Sequence, residues 1–257
     1  MLYAGIDIGS LTGKAVIMKD DDLISSSIIQ VKRNPVLTSE LVYTDALSKT
    51  GFTPDEIDYC VGTGYGRERI PYINKSLSEI SCHGRGAFFL NNAIRSIIDV
   101  GGQDCKVISI DEYGELVDFR MNEKCAAGTG RYLEIMADLL GLALPELGAI
   151  SLKSKTPISL SSECSIYAQS EVLNYISRKI KKADIAAGIN HAMAQRVHKM
   201  TEKINLQPKF TITGGVAKNV GVVKALERLM KVEFQSLSID SQLIGALGAA
   251  IFAKSYW

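Results

Sequence analysis

Two aspartates at matching places in an internal repeat, and two cysteines set apart from the other three, are the residues best placed to do chemistry in this chain. Ile6-Asp7-Ile8-Gly9-Ser10-Leu11-Thr12-Gly13-Lys14 aligns without a gap with Ile98-Asp99-Val100-Gly101-Gly102-Gln103-Asp104-Cys105-Lys106. The match keeps the apolar lead-in, the Asp, the Gly two residues on, and the Lys seven residues after the Asp. A tight turn rich in Gly and Ser between two strands presents backbone N–H groups to an anion, and an Asp ending the first strand can hold a cation or orient a water. One such copy is equally an ordinary hairpin whose glycines serve only the turn. Two copies facing each other make a clamp around a polyphosphate, with Asp7 and Asp99 converging on one magnesium ion. Lys14 and Lys106 then have a repeat-based claim to phosphate, the alternative being lysines on a strand surface.

Cys125 lies in Asn122-Glu123-Lys124-Cys125-Ala126-Ala127-Gly128-Thr129-Gly130, and Cys164 in Ser161-Ser162-Glu163-Cys164-Ser165. An iron–sulfur cluster takes four thiolates, and the chain has no Cys-x-x-Cys pair to supply them. If these two are ligands, the other two come from a second chain, and the protein is a cluster-bridged dimer that carries electrons. The alternative is a pair of buried or merely reactive thiols. Cys60, in the strand-like Asp58-Tyr59-Cys60-Val61, reads as core. Cys82 next to His83 resembles a metal pair, but adjacent residues seldom point at one ion, which favours packing or a place in a nucleotide pocket. His191 and His198, seven apart beside Arg196 and Lys199, read as a solvated helix face.

The elements that must position these residues follow from the pattern. Each repeat continues as a strand (Ala15 to Met18; Val107 to Ile110), an acidic turn (Lys19 to Asp22; Asp111 to Gly114) and another strand (Leu23 to Ile29; Glu115 to Phe119). A third glycine site follows the strand-like Phe210-Thr211-Ile212-Thr213: Gly214-Gly215-Val216-Ala217 leads into helical periodicity from Lys218 to Met230. Further helices are expected at Arg131 to Leu140, Ser165 to Ile180 and Ile185 to Ile204, with a C-terminal one capped by Ser241. Arg178-Lys179-Ile180-Lys181-Lys182 closes a helix, where cations suit the dipole, or docks an acidic partner. Cys125 shortly precedes one expected helix and Cys164 directly precedes another, so both sulfurs stand near helix N-termini, where partial positive charge stabilises thiolates. The fold expected is α/β, two duplicated units forming a clamp, with no Pro-rich linker between them.

Composition limits the partners. With 257 residues, 22% charged, 46% hydrophobic and formal net charge +1, the chain reads as globular with no bias toward nucleic acid or a membrane surface. No apolar run approaches the ~18 residues of a membrane span. The N-terminus has no basic region before Asp7, and five scattered cysteines do not form a secreted disulfide framework, so a cytoplasmic protein is expected.

The trio Asp7-Ile8-Gly9-Ser10, Asp99-Val100-Gly101-Gly102-Gln103 and Thr213-Gly214-Gly215-Val216 resembles the phosphate 1, phosphate 2 and adenosine motifs of the actin, sugar kinase and heat-shock chaperone ATPase superfamily. Within it the chain is most similar to the activator ATPases of 2-hydroxyacyl-CoA dehydratases and their benzoyl-CoA reductase relatives. That similarity runs through Gly62-Thr63-Gly64-Tyr65-Gly66-Arg67, Ser78-Glu79-Ile80-Ser81-Cys82-His83, Lys124 to Arg131, Ala168-Gln169-Ser170-Glu171-Val172 and Gly245-Ala246-Leu247-Gly248-Ala249-Ala250.

The resemblance implies duplicated actin/ribonuclease-H-like subdomains, 1–94 plus 241–257 and 95–240. It also implies a homodimer holding one [4Fe–4S] cluster through Cys125 and Cys164 of each chain. ATP hydrolysis with magnesium would be coupled there to transfer of one low-potential electron to a partner iron–sulfur metalloenzyme, with flavodoxin or ferredoxin as donor. Asp7, Asp99 and Gln103 would do the catalysis. Gly9, Ser10, Leu11, Thr12, Gly13, Lys14, Gly101, Gly102, Gln103, Gly214, Gly215, Val216, Asn219 and Gln242 would surround ATP or ADP. Leu11 stands where the family usually has Thr, Glu163 where relatives often have Thr, and Cys105 where other residues are common. These departures point to a subgroup with a different acceptor, such as a double-cubane cluster protein. The competing expectations are a small-molecule kinase of the same superfamily, with Asp7 or Asp99 as base, and a nucleotide-sensing scaffold.

Overall fold

The computed structural model describes residues 1–122, 126–161 and 164–257. In its N-terminal part, β1 (Leu2–Ile8), β2 (Thr12–Lys19) and β3 (Asp22–Gln30) form an antiparallel meander, followed by α1 (Pro35–Ser48), β4 (Tyr59–Thr63), β5 (Lys75–Ser76) and α2 (Glu79–Leu90). The second part repeats the meander as β6 (Ser96–Val100), β7 (Cys105–Ile110) and β8 (Leu116–Asn122). It continues through α3 (Gly130–Leu140), α4 (Leu144–Ser151), α5 (Ser165–Ser177), α6 (Lys182–Thr201), β9 (Phe210–Thr213) and α7 (Val220–Met230) to α8 (Ile244–Tyr256).

The first sheet has the order β3-β2-β1-β4-β5 and the second β8-β7-β6-β9, with β4 and β9 running parallel to β1 and β6. The duplication read from nine residues thus extends to four strands in each sheet. Every residue of β1 and of β6 is buried, as strands covered on both faces require.

The two sheets meet at crossed helices. α8 packs on β1, β2 and β4 of the first sheet, and α2 lies between α8 and β6, β7 and β8 of the second. Gly86 on α2 and Gly248 on α8 permit this approach. A methyl on Gly248 would collide with the carbonyl oxygen of Cys82, and one on Gly86 with that of Ile244. Ile80, Ala87, Ile94, Ile97, Ile108, Ile110 and Ile244 pack where the helices meet the second sheet.

Two expected boundaries move. α8 starts at Ile244, and Ser241 does not cap it; its hydroxyl donates instead to Gly214 O, 2.9 Å away, which ties the start of α8 to the third glycine site. The basic run 178–182 ends α5 at Arg178 but opens α6 at Lys182, so cations complement only the first of those two helix ends. No helix among the described residues is long and apolar enough to cross a membrane.

Candidate functional site

The two repeat hairpins carry the same ion pair. Antiparallel register sets Asp7 opposite Lys14 and Asp99 opposite Lys106. Lys14 Nζ lies 3.0 Å from Asp7 Oδ2, while Lys106 Nζ lies 2.8 Å from Asp104 Oδ2 and 3.4 Å from Asp99 Oδ2. All four repeat residues are buried, which rules out strand-surface lysines. The turns match as well, with Gly9 N–H donating to Thr12 O and Gly101 N–H to Asp104 O.

Parallel pairing extends the symmetry to residues that the repeat search did not align. Thr63 on β4 stands beside Asp7, and Thr213 on β9 beside Asp99. Each Thr precedes a glycine at positive φ, Gly64 at 85° and Gly214 at 81°, and a side chain on either would strike the neighbouring aspartate.

Between the hairpins lies a cleft of about 610 Å³, within the usual size of a small-molecule site. It brings together Asp7, Gly9, Ser10, Leu11, Thr12, Lys14, Asp99, Gly101, Gly102, Gly214, Gly215, Val216, Asn219 and Gln242. Two of the expected residues lie elsewhere. Gly13 backs onto Thr38 and Val42 behind the sheet, and Gln103 is exposed outside the cleft.

Leu11 rests its side chain on Gly102, joining the two turns by an apolar contact across the cleft. Gln242 Oε1 accepts from Lys218 at 2.7 Å, with its Nε2 3.4 Å from Thr12 Oγ1, so it spans both sides. Asn219 Oδ1 accepts from Gly221 and Val222 N–H and so caps α7, which commits that oxygen to the fold.

Glu79 and Asp104 also line the cleft and were not singled out from the sequence, and His83 lines it too, in the nucleotide-pocket place weighed for the Cys82–His83 pair. Glu79 Oε1 lies 3.7 Å from Lys106 Nζ and Oε2 lies 3.2 Å from Arg67. His83 Nδ1 is 3.0 Å from Thr213 Oγ1 and 3.5 Å from Asp99 Oδ1. The signal for Glu79 and His83 is the segment Ser78 to His83, where Ser78 Oγ caps α2 by accepting from Ile80 N–H.

Burial works against a charge on Asp99, but the His83 ring, Lys106, the Thr213 hydroxyl and Lys14 outweigh it, and its pKa falls to about 2. Lys14 acts from the other hairpin, so the two pairs feel each other. Four carboxylates (Asp7, Glu79, Asp99, Asp104) meet three cations (Lys14, Lys106, Arg67) at this floor, which leaves one negative charge over. That excess of negative charge fits a divalent cation arriving with a polyphosphate. Among the described residues no group of three or more His, Cys, Asp or Glu is arranged to hold a metal.

Of the two cysteines, Cys125 lies outside the described residues, as does Glu163. Cys164 is the residue before the first turn of α5 and is partly exposed. Backbone N–H groups of Tyr167 and Ile166 donate to its sulfur and lower its pKa, with Arg196 adding positive charge. Gly128, three residues after Cys125, packs on the Arg196 side chain. Arg196 therefore stands beside both cysteine-bearing segments. The other thiols contrast with this. Burial pushes Cys60 and Cys82 up to about 12 and raises Cys105 as well, so all three are core thiols.

One backbone link joins the cleft to this region. Gly101 O and Gly102 O accept from Gly130 N–H and Arg131 N–H, both at 2.8 Å, so the second turn is bonded directly to the start of α3.

Comparison with known proteins agrees with this architecture. The model of the BadF/BadG/BcrA/BcrD ATPase family matches residues 4–253. The chain is 42% identical over 254 residues to the 2-hydroxyisocaproyl-CoA dehydratase activator of Clostridioides difficile, covering 98% of this chain and 95% of that one. It is 38% identical over 251 residues to the (R)-2-hydroxyglutaryl-CoA dehydratase activating ATPase of Acidaminococcus fermentans, covering 97% and 95%. A solved structure of the Clostridium difficile activator with bound ADPNP superimposes with a TM-score of 0.95 at 41% identity, over 100% of this chain and 95% of that one. The duplicated sheets, the paired Asp–Lys hairpins and a match over nearly the whole length make this chain a member of the BadF/BadG/BcrA/BcrD ATPase family.

Proposed function

We propose that the protein is an ATP-driven activator that passes single low-potential electrons to a partner iron–sulfur metalloenzyme of the 2-hydroxyacyl-CoA dehydratase or double-cubane kind. The observation that carries this reading is the cleft floored by the Asp7–Lys14 and Asp99–Lys106 pairs and hydrogen-bonded through Gly101 and Gly102 to the start of α3. The names of the similar activators support it.

In this account ATP lies between the hairpins. Backbone N–H groups of Ser10, Leu11, Thr12, Gly102 and Gln103 face its phosphates, and Gly214 to Val216, Asn219 and Gln242 flank its nucleoside. Asp7 and Asp99 would be the residues that hold magnesium, which would offset the charge of the phosphates. The subdomains that close are 1–94 with 241–257, and 95–240.

Cys125 and Cys164 of two copies would together hold one [4Fe–4S] cluster; Cys164 fits, because the α5 N-terminus favours its thiolate. Held there, the cluster would supply one-electron transfer between a donor such as flavodoxin or ferredoxin and the partner. The largely exposed Ile166, Tyr167 and Leu173 on α5 offer apolar surface beside Cys164 for the second copy. Such a protein works in an anaerobic cytoplasm.

Anaerobic purification tests this. The expected product is a dimer with about four iron and four sulfide and magnesium-dependent ATP hydrolysis, the iron being lost in Cys125→Ala and in Cys164→Ala. A colourless protein that takes up no iron on anaerobic reconstitution would overturn the electron-transfer reading.

A further inference from the structure

His83 is buried at the floor of the cleft and does not belong to the repeat. It rises from α2, the helix between the two sheets, and its two ring nitrogens face different halves of the site. On one side Nδ1 is 3.0 Å from Thr213 Oγ1, and that hydroxyl donates to Asp99 Oδ1 at 2.9 Å. A hydroxyl has one hydrogen, so Thr213 must accept from Nδ1–H, and in the neutral ring Nε2 is then the acceptor. On the other side is Gly245, the second residue of α8. A methyl placed there would stand 2.9 Å from His83 Nε2 and 3.0 Å from Asp7 Oδ2. Nε2 and that carboxylate oxygen thus stand on either side of one point, too tight for a methyl, and since both side chains line the cleft a water on the cleft side can bridge them. Asp7 Oδ2 is itself anchored by Lys14.

We propose that His83 orients the water that attacks the terminal phosphate of ATP, Nε2 and Asp7 Oδ2 each accepting one of its hydrogens. With both hydrogens committed, a lone pair of the oxygen faces the cavity where the phosphates lie. The new bond forms between water oxygen and γ-phosphorus, and the bond from that phosphorus to the β,γ-bridging oxygen breaks. ADP leaves with the electron pair. One water proton stays on the phosphate formed and the other passes to solvent. The inference rests on the ATPase reading above and adds to it the group that aims the nucleophile. Thr213 and Asp99 act through the ring, fixing its tautomer and angle.

The test uses the anaerobically prepared, cluster-loaded dimer with magnesium and ATP. Asn at position 83 can keep the donor to Thr213 but falls short of that water, whereas Gln extends its carbonyl oxygen toward it. His83→Asn is expected to lower kcat about 100-fold, the scale of a positioned group at the reacting centre, with KM and ADP affinity within about threefold of wild type. His83→Gln is expected to recover at least about tenfold of that loss. Gly245→Ala, whose methyl would press on both His83 Nε2 and Asp7 Oδ2, is expected to lower kcat as His83→Asn does.

A kcat within about threefold of wild type in His83→Asn would overturn the proposal, as would equal losses in kcat and ADP affinity. If the wild-type dimer itself hydrolyses no ATP, the ATPase reading fails first and this inference with it.

Discussion

Asp99 is held ionised in a buried place by partners from three directions: His83 from α2, Lys106 from its own hairpin and Lys14 from the other. Its pKa is depressed in the folded chain, so its contribution to stability is fully present above the ordinary carboxylate range and is lost as pH falls from about 4 toward 2. That contribution is about 2 kcal/mol. Asp99→Asn should therefore be less stable than wild type by about 2 kcal/mol near pH 7, and the gap should shrink on acidification. Urea unfolding at pH 7, 5, 4 and 3.5 measures it, and a gap independent of pH would contradict the assignment.

At this scale the sequence was informative where chemistry is local. Asp, Gly and Lys recur at fixed spacing, so Asp7, Lys14, Asp99 and Lys106 were visible. Thr63 was quoted only as part of a motif, and His83 was weighed only beside Cys82, as a metal pair or as a place in a nucleotide pocket. Their partners lie across a sheet or on another helix, and no spacing along the chain encodes those contacts. Gln103 shows the converse: its place in the motif suggested catalysis, yet the turn points it outward.

Among the elements, the meanders and the long helices α3, α5 and α6 were legible from periodicity, to within a few residues at their ends. α2 was not, because Gly84 and Gly86 interrupt a helical pattern. α4 was missed too, with Pro145 and Gly148 inside eight residues. The glycines of α2 have a packing reason, the close crossing with α8. Gly248→Ala would push a methyl into the Cys82 carbonyl, and backbone gives way less readily than a side chain. A cost of about 1–3 kcal/mol is expected, or roughly 3–10 °C in Tm for a chain of this size. Calorimetry on the apoprotein reads it directly, and an unchanged Tm would mean that the helices can part at that crossing.

The element that matters for coupling is α3, whose first two N–H groups bond to the second turn. The same turn is placed to meet phosphate, and the segment before α3 carries Cys125. A shift of Gly101 and Gly102 on nucleotide binding would be passed on to Gly130 and Arg131.

For the whole molecule, the duplicated sheets supply two similar halves and the close packing of α2 on α8 joins them. Composition and the internal repeat were enough to foresee the clamp. The exposed apolar residues of α5, which the proposed dimer would cover, were not foreseen, because such a surface looks like any solvated helix in one chain. The account stands or falls on whether the nucleotide cleft governs the cysteine region. The most direct measurement is the rate at which a chelator removes iron from the reduced dimer with ADP and with a non-hydrolysable ATP analogue. The account predicts different rates in the two states for wild type, and a difference abolished in Asp7→Ala. Equal rates with both nucleotides in the wild-type dimer would contradict it.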